Sequence, residues 1–71
     1  MADTIANRLR CLRMEHEISQ EKLAEELDVS RTTVLHVENG DRMPSLFVVM
    51  AYAEYFSVST DWILYGKEYE V

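Results

Sequence analysis

Near the middle of the chain, apolar residues follow a helical spacing that breaks once and then resumes. Leu23, Ala24 and Leu27 (i, i+1, i+4) share one face of a first short helix, and Val34 and Val37 repeat at i, i+3 after a bend. The two apolar faces can pack together, and they leave four side chains pointing outward, which are Arg31, Thr32, Leu35 and His36. This pattern favours a helix pair that presents a row of side chains to the major groove of DNA.

The remaining pattern predicts three more helices, so we expect an all-α fold with five helices. The first begins at a cap at Asp3 or Thr4 and runs to about His16, and the last is short and begins at a cap at Ser59 or Thr60. The apolar residues that we place in the core of these parts are Ile5, Leu9, Leu12, Ile18, Val58, Trp62, Ile63 and Leu64.

The residues at the ends of the two middle helices support this assignment. Ser19 and Ser30 are good N-caps for helices two and three, and the first amides of helix three favour a nearby phosphate. Asp28 stands at the bend, where it tolerates a left-handed conformation better than most residues, at the cost of some strain. Helix three ends at Asn39 and Gly40, because glycine fits the left-handed position after a helix C-terminus.

The fourth helix opens at Pro44 and Ser45, runs to about Phe56, and is apolar on more than one face. The predicted inner stripe is Leu46, Val49, Met50, Ala53 and Phe56, and the predicted outer apolar set is Phe47, Val48, Ala51 and Tyr55. An apolar outer face on so small a domain is typical of an interface. The alternative is that the chain ends cover this helix.

The length of 71 residues predicts one domain across residues 1–71, with loose ends at 1–3 and 67–71. The single cysteine, Cys11, excludes an internal disulfide and fits a reducing compartment. No apolar run approaches the ~18 residues of a membrane span, and the N-terminus lacks a signal-peptide pattern. We therefore expect a cytoplasmic protein that has no membrane partner.

The net charge of −6 is unusual for a nucleic-acid binder, because phosphate neutralisation supplies most non-specific affinity. The acidic residues are spread along the chain, whereas nearly all cations precede Pro44. If positive and negative side chains lie on different parts of the surface, the protein can still bind DNA, with weak non-specific affinity. The six cations before Pro44 are Arg8, Arg10, Arg13, Lys22, Arg31 and Arg42.

Four short stretches carry motifs: RLRCLR at 8–13, ISQEKLAEELDVSRTTV at 18–34, VENG at 37–40 and PSL at 44–46. Through the mutual spacing of SQ-x-x-LA, LxVS and xENG, the chain resembles the phage-repressor and Cro-like (XRE-type) helix-turn-helix proteins over about residues 4–66. The resemblance implies a five-helix lambda-repressor-like DNA-binding domain in which helices 2 and 3 form the helix-turn-helix.

The resemblance also implies that helix three, from about Arg31 to Glu38, enters the major groove. Arg31 can grip guanine O6 and N7 with two hydrogen bonds, and Thr32 can meet a base edge or a thymine methyl. Leu35 can make only apolar contact, best with thymine, unless it is simply an exposed leucine. His36 can donate to guanine N7 or, when charged, to phosphate; the alternative is a solvated histidine.

Four other residues are implied to lie near the DNA backbone: Gln20, Thr33, Asn39 and Arg42. Gln20 is expected to reach a phosphate from the N-terminus of helix two, and the alternative is simple solvation. Arg42 is the one cation left in its loop, since Asp41 stands where lysine is frequent in the family.

The resemblance further implies a structural pair between Arg13 and Glu38, which would lock helix one to the end of helix three. The alternative is a solvated arginine. A partly buried pair of this kind is costly to break from one side, because the remaining charge stays desolvated.

The sequence leaves two functions open. The first is a sequence-specific, double-stranded DNA-binding transcriptional regulator, a homodimer whose two recognition helices, about 34 Å apart, read a pseudo-palindromic operator. The candidate dimer residues are Phe47, Val48, Ala51, Tyr55 and Tyr65, with Tyr69 and the tail from Lys67 to Val71 around a partner subunit. The second is a protein-interaction module, such as an antitoxin-like or adaptor protein, which the net acidity and the apolar fourth helix favour.

Catalysis is not expected. Cys11, His16 and His36 are isolated in the sequence and show no spacing typical of a nucleophile or a zinc site. The chain also has no glycine-rich phosphate loop and no CxxC or HExxH motif. We therefore expect no enzyme activity, no metal and no cofactor.

Overall fold

The computed structural model describes residues 3–67, which form five α-helices and no strand. They are α1 (Ile5–Glu15), α2 (Gln20–Leu27), α3 (Arg31–Asn39), α4 (Leu46–Phe56) and α5 (Thr60–Tyr65). The predicted helices are therefore all present. Most of the predicted loose ends, with Tyr69 and the tail beyond Lys67, lie outside the described residues.

Each helix begins at a serine or threonine whose side-chain oxygen accepts a hydrogen bond from a backbone N–H in the first turn. The five caps are Thr4, Ser19, Ser30, Ser45 and Ser59. Thr4 and Ser59, not Asp3 and Thr60, therefore fill the two positions that the sequence left open. A cap of this kind contributes about 1 kcal/mol, so the hydroxyl residues fix where each helix starts.

The bend between α2 and α3 is built on Asp28, which adopts the left-handed conformation (φ 57°, ψ 45°). At the other end of α3, Gly40 takes the same region with φ 81°. Glycine adopts this conformation without steric cost, whereas an L-residue with a Cβ is strained there by about 1–2 kcal/mol. Asp28 is therefore a point of local strain inside the helix pair.

We expect Asp28→Gly to stabilise the domain by up to about 1 kcal/mol, because it removes this strain at the price of a more flexible unfolded chain. In a domain of this size, 1 kcal/mol corresponds to a rise in Tm of about 4–8 °C, which thermal denaturation followed by circular dichroism measures. Asp28→Asn is the control, since asparagine also tolerates the left-handed region, and it should leave Tm unchanged. A lower Tm for Asp28→Gly would contradict the assignment of strain.

Two neighbouring helices pack against the inner side of α3. Helix α3 packs against both α1 and α2, while α5 packs against α1 and α4, and α4 packs against α2. Val34 and Val37, the inward residues of α3, are buried against the apolar face of α2. That face is formed by the buried residues Leu23, Ala24 and Leu27, as predicted. The opposite side of α3 is left facing solvent.

The predicted inner stripe of α4 is wrong at two positions. Leu46 and Met50 are exposed (69% and 53%), and the buried positions next to them are Val48 and Tyr52. The reason is that α4 is apolar almost all round, so the spacing alone does not select the inward face. Contacts with α2 and α5 select it instead. Val48 thus belongs to the core, which corrects its assignment to the dimer surface.

Candidate nucleic-acid interface

The outer side of α3 presents exposed side chains, among them those of Arg31, Thr32 and Leu35. Leu35 is 40% exposed, which is unusual for a leucine on a helix whose other apolar residues are fully packed. Helix α3 contains neither glycine nor proline, so these side chains project from a regular α-helix. A helix that shows one cation, one hydroxyl and one apolar group has the chemistry needed to contact base edges.

Arg31 lies beside an acidic residue of the preceding helix. Its Nη1 atom is 3.8 Å from Oε2 of Glu21, and both side chains are largely exposed. An exposed ion pair contributes only about 0–1 kcal/mol. The guanidinium is therefore free to exchange this carboxylate for another hydrogen-bond acceptor.

Thr33 is tied to the start of its own helix. Its hydroxyl lies 2.8 Å from Oγ of Ser30, and the same Oγ accepts a hydrogen bond from the Thr33 backbone N–H at 3.0 Å. Thr33 is half-buried, in contrast to the exposed side chains of Arg31, Thr32 and Leu35.

His36 and Arg42 line the same surface pocket, which has a volume of about 330 Å³. Thr32 and Thr33 also line it. The structure thus brings the middle of α3 together with the loop that follows it. His36 is half-buried, and its Nδ1 is 3.2 Å from Oδ2 of Asp41. Sequence reasoning identified Asp41 only as an acidic residue in a loop that is usually basic, and missed this contact.

Behind the exposed row, three side chains converge on the carboxylate of Glu38, which is 2% exposed. Arg13 donates from Nε to both carboxylate oxygens (2.8 and 3.0 Å) and from Nη1 to the carbonyl of Ile18 (2.9 Å). The Tyr52 hydroxyl donates to Oε2 at 3.0 Å, and the Gln20 amide donates to Oε1 at 3.4 Å. The pair of Arg13 with Glu38 is thus part of a larger buried network.

Tyr52 is the member of this network that the sequence did not indicate. Burial, and then the charge of Glu38, raise the pKa of the Tyr52 hydroxyl far above its usual range. Tyr52 therefore remains a neutral donor at all physiological pH values. A tyrosine in an apolar helix looks like an ordinary core residue, and only the tertiary fold brings its hydroxyl to Glu38.

Gln20 has its amide directed toward this network, although it stands at the N-terminus of α2 and is only half-buried. Its amide oxygen has no hydrogen to donate and can only accept, whereas the amide nitrogen keeps a second N–H. A contact with phosphate would use that second N–H.

Arg8 is buried and does not contribute to the positive surface that the sequence predicted, so its earlier assignment to that surface is wrong. It is 7% exposed and donates from Nε to the carbonyl of Ile63 (2.8 Å) and from Nη2 to the carbonyl of Leu64 (3.1 Å). Its Nη1 also pairs with Oδ1 of Asp3 at 3.0 Å. Arg8 therefore satisfies carbonyls at the end of α5, a structural role. Asn39, the last residue of α3, and Arg42, in the loop that follows it, are by contrast exposed.

The described residues contain no helix long and apolar enough to cross a membrane, and no group of three or more metal-ligating side chains. Cys11 is an exposed free cysteine.

A second exposed surface lies on α4. Phe47 and Tyr55 are 64% and 42% exposed, and Ala51 is half-buried between them. With Met50 they line a groove of about 370 Å³ between α4 and the end of α2. Tyr65, on α5, is also exposed. Of the five dimer candidates, Val48 alone is buried. The apolar surface therefore excludes Val48 and includes Met50, which the sequence had placed in the core.

The helix-turn-helix family model matches residues 9–63 of the chain. The chain is 38% identical over 61 residues to the HTH-type transcriptional activator BcrR of Enterococcus faecalis, a match that covers 86% of this chain and 30% of BcrR. It is 36% identical over 62 residues to the uncharacterized HTH-type transcriptional regulator YgzD of Bacillus subtilis, covering 87% of this chain and 94% of YgzD. The chain thus spans less than a third of BcrR and nearly all of YgzD.

The crystal structure of the P22 c2 repressor in complex with a synthetic operator superimposes with a TM-score of 0.86. The match covers 93% of this chain and 100% of that chain at 23% identity, a level that shows the fold. The predicted lambda-repressor-like arrangement of five helices, with α2 and α3 packed together, is thereby confirmed.

Proposed function

Since this chain belongs to the helix-turn-helix family of phage-repressor and Cro-like (XRE-type) proteins, we propose that it is a sequence-specific DNA-binding transcriptional regulator. The observation that carries the proposal is the outer row of α3, where Arg31, Thr32 and Leu35 are exposed on a helix buried along its other side. Regulators of this family are not enzymes, and neither is this chain.

In the proposed complex, α3 lies in the major groove and reads base edges through Arg31, Thr32, Leu35 and His36. Gln20, Thr33, Asn39 and Arg42 then lie along the sugar-phosphate backbone, where they set position and carry no sequence information themselves. Glu21 and Asp41 place negative charge beside this surface, so we expect weak non-specific affinity.

Selection from a pool of random duplexes at low salt, followed by gel-shift titration, tests the proposal directly. We expect a preferred sequence whose affinity exceeds that of random DNA by at least about 10³-fold. Recovery of no preferred sequence would remove the proposed function.

We further propose that the regulator acts as a homodimer through the exposed part of the candidate surface, namely Phe47, Ala51, Tyr55 and Tyr65. A two-fold dimer with recognition helices about 34 Å apart would bind a pseudo-palindromic operator with half-sites one helical turn apart. The support is that Phe47, Ala51 and Tyr55 line one groove on α4, since contiguous exposed apolar patches on small domains often mark interaction sites.

We expect Phe47→Glu to convert the dimer to a monomer, because each copy would bury a carboxylate without a partner in the apolar contact. Sedimentation velocity measures this change as a loss of the dimer boundary. Met14→Glu is the matched control, because Met14 is also an exposed apolar residue (59%) but lies on α1, and this variant should stay dimeric. If Phe47→Glu leaves the association state unchanged, this surface is not the dimer interface.

One observation also favours a second function, that of a protein-interaction module. The groove on α4 has Glu26 and Glu54 in its lining, so it would suit a partner segment with basic residues flanking an apolar stripe. Purification of a stable complex with a basic partner protein would support this reading. A chain that is stable and dimeric alone argues against it.

A further inference from the structure

Asp41 is positioned against His36 by the way helix α3 ends. The backbone N–H groups of Gly40 and Asp41 both donate to the carbonyl of His36, the latter at 3.0 Å. This cap depends on the left-handed conformation of Gly40 (φ 81°). It turns the chain back over the last turn, so that the Asp41 carboxylate meets the imidazole, with Oδ2 at 3.2 Å from Nδ1. The contact is thus set by the backbone.

In the contact between His36 and an ionised Asp41, only the imidazole nitrogen can be the hydrogen-bond donor. A carboxylate only accepts hydrogen bonds, so Nδ1 of His36 must carry the proton that lies between them. A neutral imidazole has a single N–H, and when that N–H is on Nδ1, the other nitrogen is an acceptor. The neutral His36 side chain therefore has an acceptor at Nε2.

We propose that Asp41 is a specificity-determining residue that acts through His36, and that it makes the neutral imidazole an acceptor toward DNA. In the major groove, the matching donors are the exocyclic amino groups of adenine (N6) and cytosine (N4). This inference rests on the proposed function, and it changes the contact expected of His36. Donation to guanine N7, as the sequence implied, is not available to the neutral Nδ1–H form.

Protonation reverses the preference. The imidazolium donates from both nitrogens, so Nε2 then matches guanine O6 or N7. Asp41 contacts His36 directly, Arg42 lines the same pocket, and the other described residues that line this pocket are uncharged. The neutral and the protonated forms of His36 therefore match different bases at the same position, adenine or cytosine for the neutral form and guanine for the imidazolium.

The tautomer of His36 can be measured without DNA. Long-range ¹H–¹⁵N correlation spectra of the full chain, recorded at about pH 8 where an ordinary histidine is neutral, distinguish the Nδ1–H and Nε2–H forms. We expect His36 to be in the Nδ1–H form. In Asp41→Ala, the ratio of Nδ1–H to Nε2–H should fall by roughly tenfold, because a hydrogen bond to a charged group is lost.

His16 provides an internal control, since the chain has two histidines. Its Nδ1 lies 2.8 Å from the carbonyl oxygen of Leu12, which is likewise only an acceptor, so His16 should also be Nδ1–H. The Asp41→Ala substitution should leave its signals unchanged. An Nε2–H form of His36 in the unsubstituted protein, or equal tautomer ratios with and without Asp41, would overturn the inference.

Binding to duplexes that differ at a single base pair completes the test. His36→Ala first identifies the base position that depends on His36, at about pH 8. At that position the unsubstituted protein should prefer adenine or cytosine over guanine by roughly tenfold, and Asp41→Ala should reduce this preference to about twofold or less. An equal preference in both proteins would overturn the inference. If no DNA sequence is preferred at all, the proposed function fails, and the tautomer measurement still decides the role of Asp41.

Discussion

Replacement of Arg13 by leucine should lower the free energy of unfolding by about 3–5 kcal/mol. Glu38, at 2% exposure, would lose the counter-charge that contacts both of its oxygens and would keep only neutral donors, from Tyr52 and Gln20. The carbonyl of Ile18 would lose its donor as well. For a domain of this size, the expected fall in Tm is roughly 15–30 °C, which thermal and urea denaturation both measure.

An exposed ion pair provides the control. Lys22 lies 3.7 Å from Glu26 on the surface of α2, and Lys22→Leu should change the stability by less than about 0.5 kcal/mol. Addition of Glu38→Gln to Arg13→Leu should recover part of the loss, because it removes the buried charge that has no partner. If Arg13→Leu and Lys22→Leu are equally stable, the buried network does not hold the fold together.

The network matters for function because it joins four helices at one carboxylate. Glu38 is on α3, and its partners Arg13, Gln20 and Tyr52 are on α1, α2 and α4. The last turn of α3 is therefore fixed to the core close to the contact between His36 and Asp41. A helix anchored in this way holds its exposed side chains in a constant register, which specific base contacts require.

The helix-turn-helix could be predicted from the sequence because its signals are local. Ser19 and Ser30 mark two helix starts, Gly40 marks an end, and the apolar spacing between them assigns an inward face. Each of these depends on residues within one or two helical turns. For that reason the predicted limits of α2 and α3 agree with the observed limits to within a residue or so. Arg31 is also exposed, as predicted.

The parts that could not be predicted depend on distant contacts. The apolar spacing of α4 placed Met50 on the inner stripe, whereas Tyr52 is the buried residue, because α4 carries apolar residues on nearly every side. Arg8 has the appearance of a surface cation, yet its partners are carbonyls 55 and 56 positions along the chain. The contact between His36 and Asp41 is close in sequence, but it depends on the direction in which Gly40 turns the chain.

Arg31→Ala should remove discrimination at one base position and cost about 1–3 kcal/mol there, a factor of roughly 5–150 in relative affinity. Only the guanidinium fork matches guanine O6 and N7 at once, and the side chain is exposed and paired only weakly with Glu21. We expect the stability to change by less than about 0.5 kcal/mol, since an exposed side chain is removed. Competition binding with duplexes that vary at each position measures the loss.

Arg42→Ala separates base reading from general electrostatic attraction. Arg42 is exposed in the loop after α3, so its proposed contact is with phosphate. Its removal should weaken binding to all sequences alike and lower the slope of log affinity against log salt concentration by about 1. The base preferences should stay as they were, in contrast to Arg31→Ala.

Arg31→Lys is the sharper test of the bidentate contact between the guanidinium and guanine, because lysine keeps the positive charge and lacks the planar pair of donors. If Arg31 grips guanine through two hydrogen bonds, this variant should keep most of its affinity for random DNA and lose discrimination at the same position as Arg31→Ala. If Arg31 instead contacts phosphate, Arg31→Lys should bind much like the unsubstituted protein, and Arg31→Ala should weaken all sequences uniformly, as Arg42→Ala does. That second result would move sequence reading away from the start of α3 and onto Thr32, Leu35 and His36.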